Sequence, residues 1–209
     1  MPYQVKVVDL SSLPPADGIL SEREGAFYQT LRFPKRRTEW LGGRFALKML
    51  VAQLLQITDL REIEVLPHPD GKPILSVRGE QSHLAFSITH SHGYAVAAIC
   101  STYKLIGIDL ERIEKRIDAW AKDFFHSSEL TGEGERFLTS LWTQKEALVK
   151  LLGTGLSLNS YDVRCVQKNP QFFNEAERIY NLLGAPEITL YTEELIPGFM
   201  FSVAFGKPL

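Results

Sequence analysis

The chain has 209 residues, 44% of them hydrophobic and 23% charged, which suits a soluble protein with one large or two small cores. Lys and Arg total 23 against 25 Asp and Glu, so net charge argues for neither a nucleic acid nor a membrane partner, and any affinity for an acidic ligand must come from a local patch. The two cysteines, Cys100 and Cys165, make no disulfide framework and no zinc spacing. With no signal sequence and no apolar run long enough to span a bilayer, the expected compartment is the cytoplasm.

Tyr3 to Val8 reads as an opening strand. After a Pro-containing loop, Ser21 is positioned to cap a helix through Glu22, Glu24 and Phe27. A second helix is predicted from about Lys35 to Leu55, with Leu41, Phe45, Met49, Ala52 and Leu55 at helical spacing. Ile63 to Leu66 reads as a strand, and His68 to Pro73 as a turn built on Asp70-Gly71. Phe86–His90 and Tyr94–Cys100 form a predicted hairpin with Ser91 to Gly93 at its tip. Leu105 to Leu110 is another strand. Helical material follows around Ile117 to Phe125 and Ser127 to Leu130, then a clear helix from about Arg136 to Leu152, ended by Gly153. Val163–Val166, Ile188–Tyr191 and Phe199–Phe205 read as strands. Each half holds strands and a long helix, which predicts an α+β fold of two lobes, residues 1–104 and 105–209.

Asp109 and Glu111 lie at i and i+2 on a strand, so both carboxylates face one side while Ile108 and Leu110 face the core. Clustered carboxylates repel unless a cation or basic group lies between them, and such oxygen ligands suit Mg²⁺. Taken alone, an Asp-x-Glu is more often a solvated strand end, here with Arg112 or Lys115 as counter-ions. On the following helix Trp142, Glu146 and Lys150 share a face at i, i+4 and i+8. Glu146 could supply a third carboxylate and Lys150 meet a phosphate; the plain alternative is a surface Glu–Lys pair. Arg37, Arg44 and Lys48 fall near one face of the first long helix, either as a solvated stripe or as a phosphate grip. Gly71-Lys72-Pro73 offers a tight turn with an exposed ammonium, and Thr89, His90 and Ser91 cluster at the hairpin tip. No nucleophile elbow or P-loop accompanies His90, so anion binding suits it better than nucleophilic catalysis.

Four segments in order carry a resemblance: Gly71-Lys72-Pro73; Phe86-Ser87-Ile88-Thr89-His90-Ser91; Gly107-Ile108-Asp109-Leu110-Glu111; and Trp142-Thr143-Gln144-Lys145-Glu146-Ala147-Leu148-Val149-Lys150 with Gly153-Thr154-Gly155-Leu156-Ser157. Together with Arg36-Arg37 to Leu41-Gly42-Gly43-Arg44, the chain resembles the surfactin-synthetase-activating type of 4′-phosphopantetheinyl transferase, in its subgroup with Trp and Lys-Glu-Ala. Thr89 stands where that family usually has Ser, and His92 where Gly or Gln is more usual. The resemblance implies a monomer of two similar α+β lobes related by a pseudo-twofold, with coenzyme A and Mg²⁺ in a cleft between them. It assigns the metal to Asp109, Glu111 and Glu146, and coenzyme A to Arg36, Arg44, Gly71, Lys72, Pro73, Ser87, Thr89, His90 and Lys150. Arg23, Arg32 and Lys35 are candidates for its 3′-phosphate.

The implied reaction moves phosphopantetheine onto a serine of an acyl, polyketide or peptidyl carrier protein and releases adenosine 3′,5′-bisphosphate. Glu146, Lys150 and His90 carry the chemistry in that reading. The serine proton goes to Glu146, with Glu129 or a metal-bound water in reserve. Leu156 and the apolar segment Trp120 to Phe125 are candidates for carrier docking. A non-catalytic coenzyme A- or carrier-binding module and a Mg²⁺-dependent nucleotide phosphohydrolase are the competing classes.

Overall fold

A computed structural model describes residues 2–68, 72–154 and 158–207. Gly71, Leu156 and the rest of Gly155–Ser157 lie outside the described residues, as does the Asp70-Gly71 turn. The chain divides into two compact units, Met1–Thr102 and Tyr103–Leu209, each a mixture of helix and antiparallel sheet, so the fold is α+β.

Unit 1 begins with β1 (Tyr3–Asp9) and α1 (Glu22–Thr30). Ser21 starts α1 through a capping box: its hydroxyl accepts from Glu24 N, and the Glu24 carboxylate accepts from Ser21 N. Then comes α2 (Pro34–Leu55), where Pro34 takes a first-turn position that needs no N–H, and Gln56 ends the helix in a left-handed conformation. Strands β2 (Ile63–Leu66), β3 (Ile74–Val77) and β4 (Glu80–Gln81) make a small sheet. β5 (Ala85–Ser91) and β6 (Tyr94–Cys100) form the expected hairpin. Its two-residue turn puts His92 at φ 43° and Gly93 at φ 89°; that pair of positive φ values matches the twist of the strands it joins. The sheet order is β1-β6-β5, and α2 packs across it through a core that includes Leu47, Val51, Phe86, Ala97 and Ile99.

Unit 2 opens with β7 (Leu105–Arg112) and α3 (Asp118–Phe124). Residues 127–130 are a turn and not the helical stretch expected: Glu129 reaches back to accept from His126 N at 2.8 Å. α4 (Glu135–Leu152) follows, ended by Gly153 at φ 77°. β8 (Val163–Val166) pairs with β9 (Asn169–Phe172), and α5 (Asn174–Leu182) precedes the long hairpin β10 (Glu187–Ile196) and β11 (Phe199–Lys207). β9 and α5 escaped the sequence reading, since Pro170 argues against a strand and α5 is short. The sheet order is β7-β11-β10, with α4 packed on β7 and β11.

The two units repeat one plan. Each runs strand, long helix, a 3₁₀ turn before the next strand, short hairpin, long hairpin, and in each the last strand returns to lie beside the first. The 3₁₀ turns match in detail: Asp59 accepts from Arg61 N at 2.9 Å, and Asn159 from Tyr161 N at 3.0 Å. Among the described residues, no helix is long and apolar enough to cross a membrane.

Both cysteines are buried. The thiol of Cys165 donates to Gln144 Oε1 at 3.0 Å, and burial, reinforced by the charge of Glu129, pushes its pKa up to about 12. Since the thiolate is the reactive form, iodoacetamide at pH 8 should leave Cys165 unlabelled in the native protein and label it in denaturant, as read by peptide mass spectrometry. Equal rates in both states would show that the thiol is not enclosed.

Candidate active site

The acidic cluster belongs to unit 2. β7 pairs with β11 so that Asp109 lies opposite Ser202 and Glu111 opposite Met200. Ile108 and Leu110 are fully buried on the other face, as alternation requires. Gly107 lets the strand come close to α4: a Cβ there would meet the backbone oxygen of Ala147, the nitrogen of Leu151 and, at 3.0 Å, its Cα. That approach places α4 beside the acidic end of the strand.

Asp109 is 4% exposed, and Lys150 Nζ donates to its Oδ1 at 2.7 Å. Lys150 therefore pairs across to the strand, not with Glu146 one turn earlier on its own helix. Glu111, half-buried, has Arg116 Nη2 at 3.8 Å from its Oε2, while Arg112 turns away to Glu114 at 2.7 Å. Glu146 feels the charges of Asp109, Lys150 and Glu111. Burial and then the carboxylate of Asp109 raise its pKa to about 7; Lys150 opposes them, and Glu111 adds to the rise. Trp142 on the same helix face belongs to an aromatic cluster with Trp120, Phe124 and Phe125, at centroid distances of 5.4, 5.1 and 6.3 Å. In the segment Trp120 to Phe125, Phe125 is buried in the core of unit 2, while Trp120, Ala121 and Phe124 pack against it in part.

As the side chains lie, no three His, Cys, Asp or Glu groups among the described residues are gathered closely enough to hold a metal ion. The donor chemistry of Asp109, Glu111 and Glu146 nevertheless fits a hard cation: the first two carboxylates raise the proton affinity of Glu146, and one ammonium already offsets part of the charge.

The basic residues belong to unit 1. Arg36 near the start of α2 donates from Nη1 to His90 Nε2 at 3.3 Å. A guanidinium has no acceptor, so His90 carries its proton on Nδ1, which faces Glu39 Oε1 at 3.7 Å. His90 shares a strand face with Phe86 and Ile88, toward α2, whereas Ser87, Thr89 and Ser91 are buried on the opposite face. The hairpin-tip cluster is therefore split between two faces. Lys72 and Pro73 precede β3, with Lys72 exposed.

Of the stripe Arg37, Arg44 and Lys48, the two arginines are half-buried and the lysine is fully buried. Arg37 lies over Tyr28 at 4.4 Å and Arg44 over Trp40 at 4.2 Å. Arg44 Nε also donates to Val65 O at 3.3 Å, and burial pulls its pKa down to about 10. Arg44, half-buried, thus packs on Trp40 and against β2, through tertiary partners that helical periodicity does not show.

Residues 105–192 match the family model of the 4′-phosphopantetheinyl transferase superfamily. The chain is 30% identical over 205 residues to the 4′-phosphopantetheinyl transferase HetI of a Nostoc species, an alignment covering 93% of this chain and 86% of that one. It is 28% identical to the 4′-phosphopantetheinyl transferase gsp of Aneurinibacillus migulanus, over 90% of this chain and 76% of that one. Among solved structures, a holo-(acyl-carrier-protein) synthase from Bacillus anthracis, in complex with CoA (3′,5′-ADP), is 26% identical, with a TM-score of 0.40, covering 47% of this chain and 92% of that chain. The protein is a group-transfer enzyme. It belongs to the 4′-phosphopantetheinyl transferase family.

Proposed function

We infer that this chain transfers the 4′-phosphopantetheine group of coenzyme A to a serine of an acyl, polyketide or peptidyl carrier protein, releasing adenosine 3′,5′-bisphosphate. Within a family of that activity, the observation that carries the residue assignment is the coupled set Asp109, Glu111, Glu146 and Lys150. Asp109, Glu111 and Glu146 would hold Mg²⁺, which when bound supplies positive charge to the pyrophosphate of coenzyme A.

The chain's own side chains do the rest. Lys150 offsets the charge of Asp109 and offers a flexible ammonium to a phosphate oxygen. Glu146, placed among these charged groups, is the proposed acceptor of the serine proton. Glu129 is a poor alternative: it is 1% exposed, and both its oxygens already accept hydrogen bonds. Arg36 keeps guanidinium donors for a phosphate beyond the one it gives to His90, with the Nδ1–H of His90 and Lys72 as further contacts, while Thr89, on the opposite strand face, would meet another part of coenzyme A. The proposal includes a monomer in the cytoplasm, supported by the two buried cysteines and by a plan repeated within one chain.

Intact-protein mass spectrometry of an apo-carrier incubated with this protein, coenzyme A and Mg²⁺ should show the gain of one phosphopantetheine, abolished by chelator. Coenzyme A binding with no gain on carriers of several classes would favour a non-catalytic binding module. Asp109→Ala should lower turnover and weaken its dependence on Mg²⁺ together; an unchanged metal titration would remove Asp109 from the ligand set.

A further inference from the structure

Two neighbouring side chains on α4 take opposite directions. Glu146 joins the carboxylate cluster, while Lys145 points into the body of unit 2 and is 1% exposed. Lys145 Nζ donates to the backbone oxygen of Phe124 at 2.8 Å and to Glu129 Oε2 at 3.0 Å. Glu129 also accepts from His126 N at 2.8 Å and, through Oε1, from Cys165 N at 2.9 Å. One ion pair thereby ties α4 to the chain leaving α3 and to β8.

Unit 1 contains the same arrangement. Lys48 on α2 donates to the backbone oxygen of Ile19 at 2.7 Å and to Glu24 Oε2. Glu24 also accepts from Ser21 N at 3.0 Å and, through Oε1, from Val65 N at 2.8 Å. The match runs atom by atom. Each lysine takes the carbonyl five residues before its glutamate, each glutamate bonds the amide three residues before itself, and each reaches the third residue of the short strand after the long helix. In unit 1, however, Met49 and Gln53 stand where unit 2 has Glu146 and Lys150. There the pair serves architecture alone.

A buried ion pair adds little stability over well-packed apolar side chains, because desolvation offsets the attraction. What it can add is a single geometry: apolar faces tolerate small rotations and slips, whereas a lysine held by a carbonyl and a carboxylate does not. In unit 2 that constraint acts one residue from Glu146 and five from Lys150.

We propose that Lys145 and Glu129 are a positioning pair for the transfer reaction, fixing the rotation of α4 so that Glu146 and Lys150 meet the acidic end of β7. Glu129 then holds no proton of the reaction. The proposal rests on the reading of Glu146 and Lys150 as site residues given above.

The test compares the two copies in the full chain. Melting temperature, kcat and the KM for coenzyme A are measured for Lys145→Met, Lys48→Met, Glu129→Gln and the doubles Glu129→Gln/Lys145→Met and Glu24→Gln/Lys48→Met, at a temperature where each is folded. Both lysine variants leave a buried carboxylate unpaired and should lose thermal stability alike. Lys145→Met should also lose on the order of ten- to a hundredfold in kcat with a nearly unchanged KM, the scale expected of small misplacements at a reacting centre; Lys48→Met should keep kcat within about twofold. The double Glu129→Gln/Lys145→Met carries no buried charge at this position and should regain both stability and part of kcat; should Lys145→Met not fold, the two doubles and Glu129→Gln carry the comparison. Equal kcat losses in the two copies, or a Glu129 double no faster than Glu129→Gln alone, would overturn the proposal. A parent protein inactive on every carrier would overturn the functional reading, and the proposal with it.

Discussion

Replacing Glu146 by Gln is expected to stabilise the metal-free protein while abolishing turnover. The carboxyl of Glu146 is pushed up to about 7, first by burial and then by Asp109, from an ordinary value of 4.5. Its folded-state pKa lies above the unfolded one, so the unfolded chain releases the proton first as pH rises. Stability is therefore full below pH 4.5 and falls as pH climbs through 7, by about 3 kcal/mol in total for this group. Gln carries no such penalty at any pH. In chelator, the variant and the parent should melt together near pH 4, and the variant should melt roughly 5–10 °C higher at pH 8. The same variant should show no measurable transfer to an apo-carrier, since it lacks one of the three proposed cation ligands. Superimposable pH–stability curves would show that Glu146 is not buried against Asp109 and Glu111. Near-normal kcat at saturating Mg²⁺ would remove it from the chemistry.

Gly107→Ala is the second large effect. Its φ does not lie in the region that excludes a side chain, so the expected cost comes from space alone. The added methyl would meet backbone atoms of Ala147 and Leu151, which cannot turn aside as a flexible side chain would. Strand and helix must separate, costing at least about 3 kcal/mol by the measure of overpacked cores. Because β7 carries Asp109 and α4 carries Glu146 and Lys150, the same separation loosens the Lys150–Asp109 contact at 2.7 Å. Denaturant melts should show the stability loss, and transfer assays at low temperature a fall in kcat in the fraction that remains folded. A variant with wild-type stability and rate would mean that the sheet and helix have room between them.

Several features were legible in the residues alone. Alternation along Gly107 to Glu111 put Asp109 and Glu111 on one side and Ile108 and Leu110 on the other, because strand geometry is local. Helical spacing put Glu146 and Lys150 on one face for the same reason. Ser21 and Glu24 announced the start of α1, and Ser91 to Gly93 the hairpin turn. The ordered motifs named the family.

What the sequence did not carry was the identity of partners far along the chain. Arg44 and Lys48 have the spacing of a solvated stripe, yet Trp40, Glu24 and the backbone of Ile19 and Val65 enclose them. Lys150 has a glutamate at i−4, and only the approach of β7 gives it Asp109 instead. Glu129 reads as a reserve carboxylate in a short helical stretch, and its burial depends on a lysine and an amide brought to it by α4 and β8. Periodicity and capping are properties of neighbouring residues, so the chain by itself determined its elements, their inward faces and its family. Charge pairing and burial depend on which elements meet, so the tertiary structure alone decided which ionisable groups are enclosed in buried ion pairs and which stand at the acidic end of β7.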